Sequence, residues 1–240
     1  MTQTIIAAQN VSKTLGSGAA QVHALKQVNL SLDGGLTMLM GPSGSGKTTL
    51  LSILGAMLTP SEGRVEICGR STHGAGAETL AEIRRRHVGF VFQTFHLFPT
   101  LTATENVQLA LDVRGERGAM ARARTREVLT RVDLAHKADA LPRALSGGEQ
   151  QRIAIARAIV AEPAVILADE PTAALDSVNG QAIMALLAAI AREPNRAVLV
   201  VTHDARLTGF ADNTLRIEDG MLVPEAASSS NVYRMRGSAL

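Results

Sequence analysis

"LTMLMGPSGSGKTTLLSILGAM", residues 36–57, decides the fold. Its first five residues, 36–40, are an apolar run that reads as a buried strand. Its last eleven, 47–57, read as a Leu-rich helix. Between them Gly41 to Thr48 satisfies G-x-x-x-x-G-K-[ST] in full. On residue frequencies a chain of this length meets that pattern by chance roughly once in a hundred. The strand before it and the helix after it supply the setting the pattern requires. The glycines let consecutive backbone N–H groups converge on phosphate oxygens, and the helix N-terminus adds its positive end. Lys47 can place a charge on the β- and γ-phosphates, and Thr48 can put a hydroxyl on Mg²⁺. The expected phosphate cradle is Gly41, Pro42, Ser43, Gly44, Ser45, Gly46, Lys47, Thr48 and Thr49. The plainer reading is a Gly-rich turn ahead of an ordinary helix.

A cradle alone says only "nucleoside triphosphate". "VILADE" (165–170) adds a second element, an apolar strand that delivers Asp169 and Glu170 to its C-terminal end. Ligands of open α/β sheets bind at that edge. Asp169 can hold Mg²⁺ through its water shell, and Glu170 can accept a proton from an attacking water. His203 ends the next apolar run, "AVLVVTHD", and reaches the same edge, where it can donate to the γ-phosphate or place the water. His23, His73, His87, His96 and His136 have no such placement and read as structural.

Working outward, "HVGFVF" (87–92), "AVILAD" (164–169) and "AVLVVT" (197–202) are further strands, and "SVNGQAIMALLAAIARE" (177–193) is a helix. Strand-then-helix alternation predicts an α/β fold with a parallel sheet. "GRVEICG" (63–69) and residues 10–33 look antiparallel. The stretch 94–160 lacks strands. It reads as a helical insertion with two helices parted by Gly115 and Gly118, the second carrying an arginine-rich solvated face. The expectation is one domain over 1–223, with its core in 1–93 and 161–223 and a helical subdomain at about 94–160. From Pro224 the sequence loses periodicity, and 224–240 is expected to be a flexible tail.

The chain has 240 residues, enough to bury a core. Apolar residues make up 46% and aromatics 2%, so that core must be mostly Ala, Leu, Ile and Val. The formal net charge of +2 is too small to imply nucleic acid. A single cysteine, Cys68, leaves no intramolecular disulfide or Cys-based zinc site. No signal peptide is visible, and "AIMALLAAIA" (182–191) is too short to span a bilayer. Any membrane role is therefore expected to run through a partner.

"LSGGEQQR" (145–152) places a Ser-Gly-Gly turn directly ahead of a helix. Ser146 can cap that helix, and Gly147 and Gly148 expose N–H groups to a phosphate. One chain then carries two phosphate-binding elements for one nucleotide. A head-to-tail pair of subunits resolves this, each lending its turn to the other's cradle.

"GPSGSGKT", "LSGGEQQR" and "VILADEPTAALD", with Gln93 and His203, resemble the ATP-binding cassette (ABC) ATPases over essentially 1–223. The resemblance implies a P-loop fold of the ABC type. Its parts are a RecA-like parallel core, an N-terminal antiparallel β-subdomain and an inserted α-helical subdomain. It implies ATP and Mg²⁺ as cofactors, and hydrolysis of ATP to ADP and phosphate. Gln93 would be the Q-loop glutamine, linking Mg²⁺ and nucleotide to the helical subdomain. Asp176 would belong to the D-loop between protomers. Leu145 to Glu149, including Ser146, Gly147, Gly148 and Glu149, would act in trans.

One departure concerns the base. The family usually stacks adenine on an aromatic residue before the phosphate loop. The expected slot near Thr14 has none, and no Phe, Tyr or Trp precedes Phe90. Either His23 or Val22 packs against the base, or adenine is held weakly. The Glu usual before the cradle strand is also missing, since the chain reads "GGLTM".

"VGFVFQTFHLFPTLTATENV" (88–107), "VTHDARL" and "IEDGMLVP" resemble the MacB/LolD-like branch, including heterocyst-type exporter ATPases. That branch implies a permease that docks near 94–102, a periplasmic adaptor reached through it, and a place on the cytoplasmic face of the inner membrane. "FHLFPTL" is the apolar-aromatic stretch a docking groove would show, unless it packs within its own subdomain. The rival reading is a soluble ABC ATPase of a cytosolic assembly system, such as iron–sulfur assembly, which shares every catalytic motif. A non-hydrolysing scaffold would require a damaged Glu170 or His203, and both are intact.

Overall fold

The computed structural model describes residues 4–223. The expected tail at 224–240 lies outside them. In chain order the elements are β1 (Ile6–Leu15), β2 (Val22–Leu32), β3 (Gly35–Met40), α1 (Lys47–Leu54), β4 (Glu62–Ile67), β5 (Arg70–Ser71), α2 (Ala77–His87) and β6 (Val88–Val91). Then follow α3 (Ala103–Val113), α4 (Ala119–Arg131), α5 (Gly147–Ile159), β7 (Val165–Asp169), α6 (Ser177–Ala191), β8 (Ala197–Val201), β9 (Asn213–Glu218) and β10 (Met221–Val223).

The strands form two sheets. β2-β1-β4-β5 is antiparallel throughout. β10-β9-β3-β8-β7-β6 is parallel except for the edge strand β10. The parallel strands read as unbroken apolar runs because both faces are covered. β7 shows how: Val165 and Leu167 pack into one core with α1 and the antiparallel sheet, while Ile166 and Ala168 pack into another with α5 and α6. That is the period-two alternation of a strand, with an apolar partner layer on each side. A third core holds α3 and α4 against α5 through Val107, Leu111, Leu129, Ile153 and Ala156. α5 thus joins the helical region to the parallel sheet.

Several bounds differ from the sequence reading. α1 stops at Leu54 rather than 57, because Ala56 turns left-handed at φ 54° and Gly55 is pressed against the Phe90 ring. β6 begins at Val88, and His87 ends α2 instead. α2 itself is not expected from the sequence. It buries only Ile83, with Leu80 packed partly on the same core, and Arg84, Arg85 and Arg86 fill its last turn, so its apolar stripe is short. The β9–β10 hairpin closes on Asp219 and Gly220, both at positive φ (46° and 80°), the backbone that favours Asp-Gly in a two-residue turn.

All parallel strands point their C-terminal ends to one edge. That edge receives Gly41 after β3, Gln93 after β6, Asp169 and Glu170 from β7, and His203 after β8. No helix among the described residues is long and apolar enough to cross a membrane.

Candidate functional site

The loop between β3 and α1 turns through Gly46, which caps α1 in the left-handed region (φ 102°). A side chain there would also strike the Ala24 carbonyl. Glycine is thus required on two counts, backbone conformation and close approach. Lys47, the first residue of α1, is buried and donates from Nζ to Gly41 O (2.8 Å) and Pro42 O (2.7 Å). The ammonium therefore closes the loop on itself. Ser45 Oγ is buried with no hydrogen-bond partner among the described residues.

A cavity of about 920 Å³ opens over this loop. Ser43, Gly44, Gly46, Lys47, Thr48 and Thr49 line it, together with Gln93, Asp169, Glu170 and His203. Leu15, Val22, His23, Ala24 and Lys26 from the antiparallel sheet line it as well, with Asp219 and Gly220 of the hairpin. Thr48 Oγ1 donates to Asp169 Oδ1 at 3.5 Å, a long contact. Burial is the main force raising the Asp169 pKa, and neighbouring Glu170 adds to it; the Thr48 hydrogen bond and Lys47 oppose. Two hard oxygen donors, the Thr48 hydroxyl and the Asp169 carboxyl, suit a small divalent cation. Among the described residues no cluster of three or more His, Cys, Asp or Glu side chains could hold a metal unaided. Such an ion would depend on phosphate oxygens and water.

Glu170 holds φ 46°, and its N–H donates to Val201 O at 2.9 Å. Its Oε1 meets His203 Nδ1 at 2.7 Å. A side-chain-bearing residue in the left-handed region is strained, and such strain gathers at functional sites.

The other expected phosphate element is not on this cavity. Ser146 caps α5 in a reciprocal box: Glu149 N–H donates to Ser146 Oγ (3.3 Å), and Ser146 N–H donates to Glu149 Oε2 (2.7 Å). The bond from the Ser146 backbone is the main cause that lowers the Glu149 pKa. Asp176 caps α6 by accepting from the Val178 and Asn179 N–H groups, both at 3.0 Å. It lines a smaller neighbouring cavity of about 220 Å³ that also touches Glu170 and His203. The structure therefore gathers the cradle, Gln93, Asp169, Glu170 and His203, and leaves Ser146 to Glu149 apart from them.

The base end departs from expectation in one residue. Leu15 lines the cavity instead of Thr14, whose Oγ1 is taken up by His23 Nδ1 at 3.1 Å. Leu15 and Val22 are cross-strand partners, 40% and 60% exposed. Val22 is one of the two residues expected there, whereas Leu15 carries no local signal: only its pairing with Val22 brings it to the cavity. Asp219 and Gly220 reach the cavity from the β9–β10 turn, a relation between distant elements that no spacing records.

The ABC transporter family model matches residues 25–173. The chain is 46% identical over 222 residues to the ABC transporter ATP-binding protein MJ0796 of Methanocaldococcus jannaschii, covering 90% of this chain and 94% of that one. It is 40% identical to the lipoprotein-releasing system ATP-binding protein LolD of Shewanella denitrificans, covering 91% and 94%. It is 39% identical to the macrolide export ATP-binding/permease protein MacB of Rhodopseudomonas palustris, where it spans all of this chain but 36% of that longer protein. A dimeric, post-hydrolysis structure of the MJ0796 cassette with ADP and Pi superposes with a TM-score of 0.82 at 44% identity, over 90% of this chain and 96% of that one. Sequence and superposed fold agree, and the chain belongs to the ABC transporter family as an ATP-binding, ATP-hydrolysing cassette.

Proposed function

We propose that this cassette powers a MacB/LolD-like membrane permease, closing head-to-tail with a second copy around two ATP molecules. One observation carries the pairing. The cavity holds one phosphate-binding loop and the Glu170–His203 pair, while the capped turn at Ser146–Glu149 lies elsewhere on the chain. A second copy can supply that turn, and the dimeric relative is consistent with it.

In this reading Lys47 exchanges its two loop carbonyls for β- and γ-phosphate oxygens. Thr48, Asp169 and Gln93 would hold Mg²⁺, which supplies charge neutralisation at the phosphates when bound. Glu170 takes the proton of the attacking water, and His203, anchored through Nδ1, leaves Nε2 for the nucleotide. The base rests on Leu15 and Val22. Asp176 stands at the seam between copies.

Residues 94–102 are the proposed permease contact. Phe98 is 50% exposed. Its backbone is pinned on both sides by buried Asn106, which accepts from Phe98 N–H (2.8 Å) and donates to Phe98 O (3.2 Å) and Leu101 O (2.9 Å). A rigid loop presenting one aromatic ring fits docking better than internal packing. Similarity to LolD and MacB, ATP-binding components of membrane transporters, supports a position on the cytoplasmic face of the inner membrane, held there by the permease; a periplasmic adaptor reached through that permease belongs to the same proposal.

The test is a pull-down of the Glu170→Gln chain from detergent-solubilised membranes of its host with ATP. A polytopic permease in the eluate supports the reading. A dimer without a membrane partner would favour a cytosolic assembly ATPase.

A further inference from the structure

Phe95 and His96 follow Gln93 in a tight turn, and both lie in the left-handed region, at φ 57° and 49°. Consecutive side-chain-bearing residues there are disfavoured, so the turn needs an outside hold. Arg157, near the far end of α5, provides one. It donates from Nη2 to Phe95 O (2.8 Å) and from Nη1 to His96 O (2.6 Å). Both bonds go to carbonyls rather than to a carboxylate. The planar fork spans two successive carbonyls, which a lysine ammonium does not match. Burial pulls the Arg157 pKa down.

What the clamp holds directly is the backbone that carries the Phe95 and His96 rings. The His96 ring packs on Phe92, with centroids 4.7 Å apart. The Phe95 ring instead lies beside the turn that begins α5, where Gly147 carries no side chain. A methyl group placed on Gly147 would lie 3.8 Å from Phe95 Cζ, 3.4 Å from Leu175 Cδ2 and 3.9 Å from Ala174 O. Phe95 therefore lies where three segments meet: the loop after Gln93, the Ser146–Gly148 turn and the stretch leading to Asp176.

We propose that Arg157 is a positioning residue whose clamp on Phe95 and His96 fixes the Ser146–Gly148 turn for the nucleotide of the second copy. The inference rests on the head-to-tail reading above. It gives that reading a lever, because the clamped carbonyls lie within the proposed permease contact. Movement at 94–102 is passed through Phe95 to the turn, and through Arg157 to α5.

The test uses ATP-driven dimerisation of the Glu170→Gln chain, followed by light scattering across protein concentrations, with monomer ATP affinity and Tm measured alongside. Adding Arg157→Ala is expected to weaken dimerisation roughly tenfold or more, as for loss of a charged hydrogen bond, with monomer ATP affinity retained. Arg157→Lys is expected to stay weak. Adding His96→Gly to Arg157→Ala is expected to recover much of the loss, since glycine takes the left-handed turn without help. Phe95→Ala leaves Arg157 and its carbonyl partners in place, so it tests the part played by the ring even where Arg157→Ala folds poorly. It is expected to weaken dimerisation similarly. Parental dimerisation in both Arg157→Ala and Phe95→Ala overturns the proposal. So does a loss that His96→Gly cannot recover and that follows a lowered Tm, since Arg157 is then merely structural. A Glu170→Gln parent that stays monomeric in ATP overturns the head-to-tail reading itself, and the two failures are thereby told apart.

Discussion

Glu170 Oε1 lies 2.7 Å from His203 Nδ1, across the C-terminal ends of the neighbouring strands β7 and β8. The pairing depends on backbone as much as on side chain. Had Glu170 continued the extended path of β7, the alternation of a strand would have sent its side chain to the face opposite Asp169. The turn at φ 46°, locked by the bond to Val201 O, ends that alternation. Both carboxylates then line one cavity.

Glu170→Gln keeps the shape and removes the base. Phosphate release under single-turnover conditions is expected to fall by about 100-fold or more, the scale of a lost general base, while ATP still binds. His203→Ala is expected to slow the same step without abolishing binding. Wild-type rates in Glu170→Gln would assign the base to another group.

Lys47→Ala removes a charged phosphate contact of about 1.5–3 kcal/mol. It also frees the Gly41 and Pro42 carbonyls, so the loop loses its internal tie. Calorimetry is expected to show ATP affinity down by roughly ten- to a hundredfold. An unchanged Kd would mean that Lys47 keeps its carbonyl partners when nucleotide binds.

Much of this site is legible in the sequence because its chemistry comes from local patterns. The cradle is a contiguous loop, and Asp169, Glu170 and His203 each sit at the end of an apolar run whose parallel pairing fixes where it points. Leu15 shows the limit. It shares the cavity with Lys47 only because β1 and β2 fold over the parallel sheet, a relation between elements that no spacing records. α2 escapes notice because its stability lies in contacts made by few residues, and the Phe95–Arg157 clamp because it joins groups 62 positions apart.

Asp169 ties stability to pH. Its pKa is raised in the folded chain, chiefly by burial. The folded state then binds the proton more tightly than the unfolded one, so stability falls as pH rises from the ordinary Asp value through the folded value. Above that window the ionised carboxylate is a standing cost to the nucleotide-free protein. Asp169→Asn is expected to raise Tm at pH 7 and to lose that advantage near pH 4, about the unperturbed Asp pKa. Mg²⁺-dependent ATP binding is expected to weaken in the same variant. A lower Tm at pH 7 would show the Thr48 hydrogen bond outweighing burial.

The base end is where this cassette departs most from its resemblance. Leu15 and Val22 face each other across β1 and β2, both substantially exposed, while the His23 ring is engaged by Thr14. An aliphatic pair covers a purine by contact area alone and reads none of its edges. ATP and GTP are therefore expected to bind with similar Kd. Leu15→Tyr would put a ring on the same platform, and stacking adds about 0.5–1.5 kcal/mol beyond area. That corresponds to ATP binding roughly two- to tenfold tighter. A Leu15→Tyr chain that binds ATP no better than the parent would show the base lying off the Leu15–Val22 pair. The same titration with ribose triphosphate lacking a base would then give the share of affinity that the phosphate loop supplies alone.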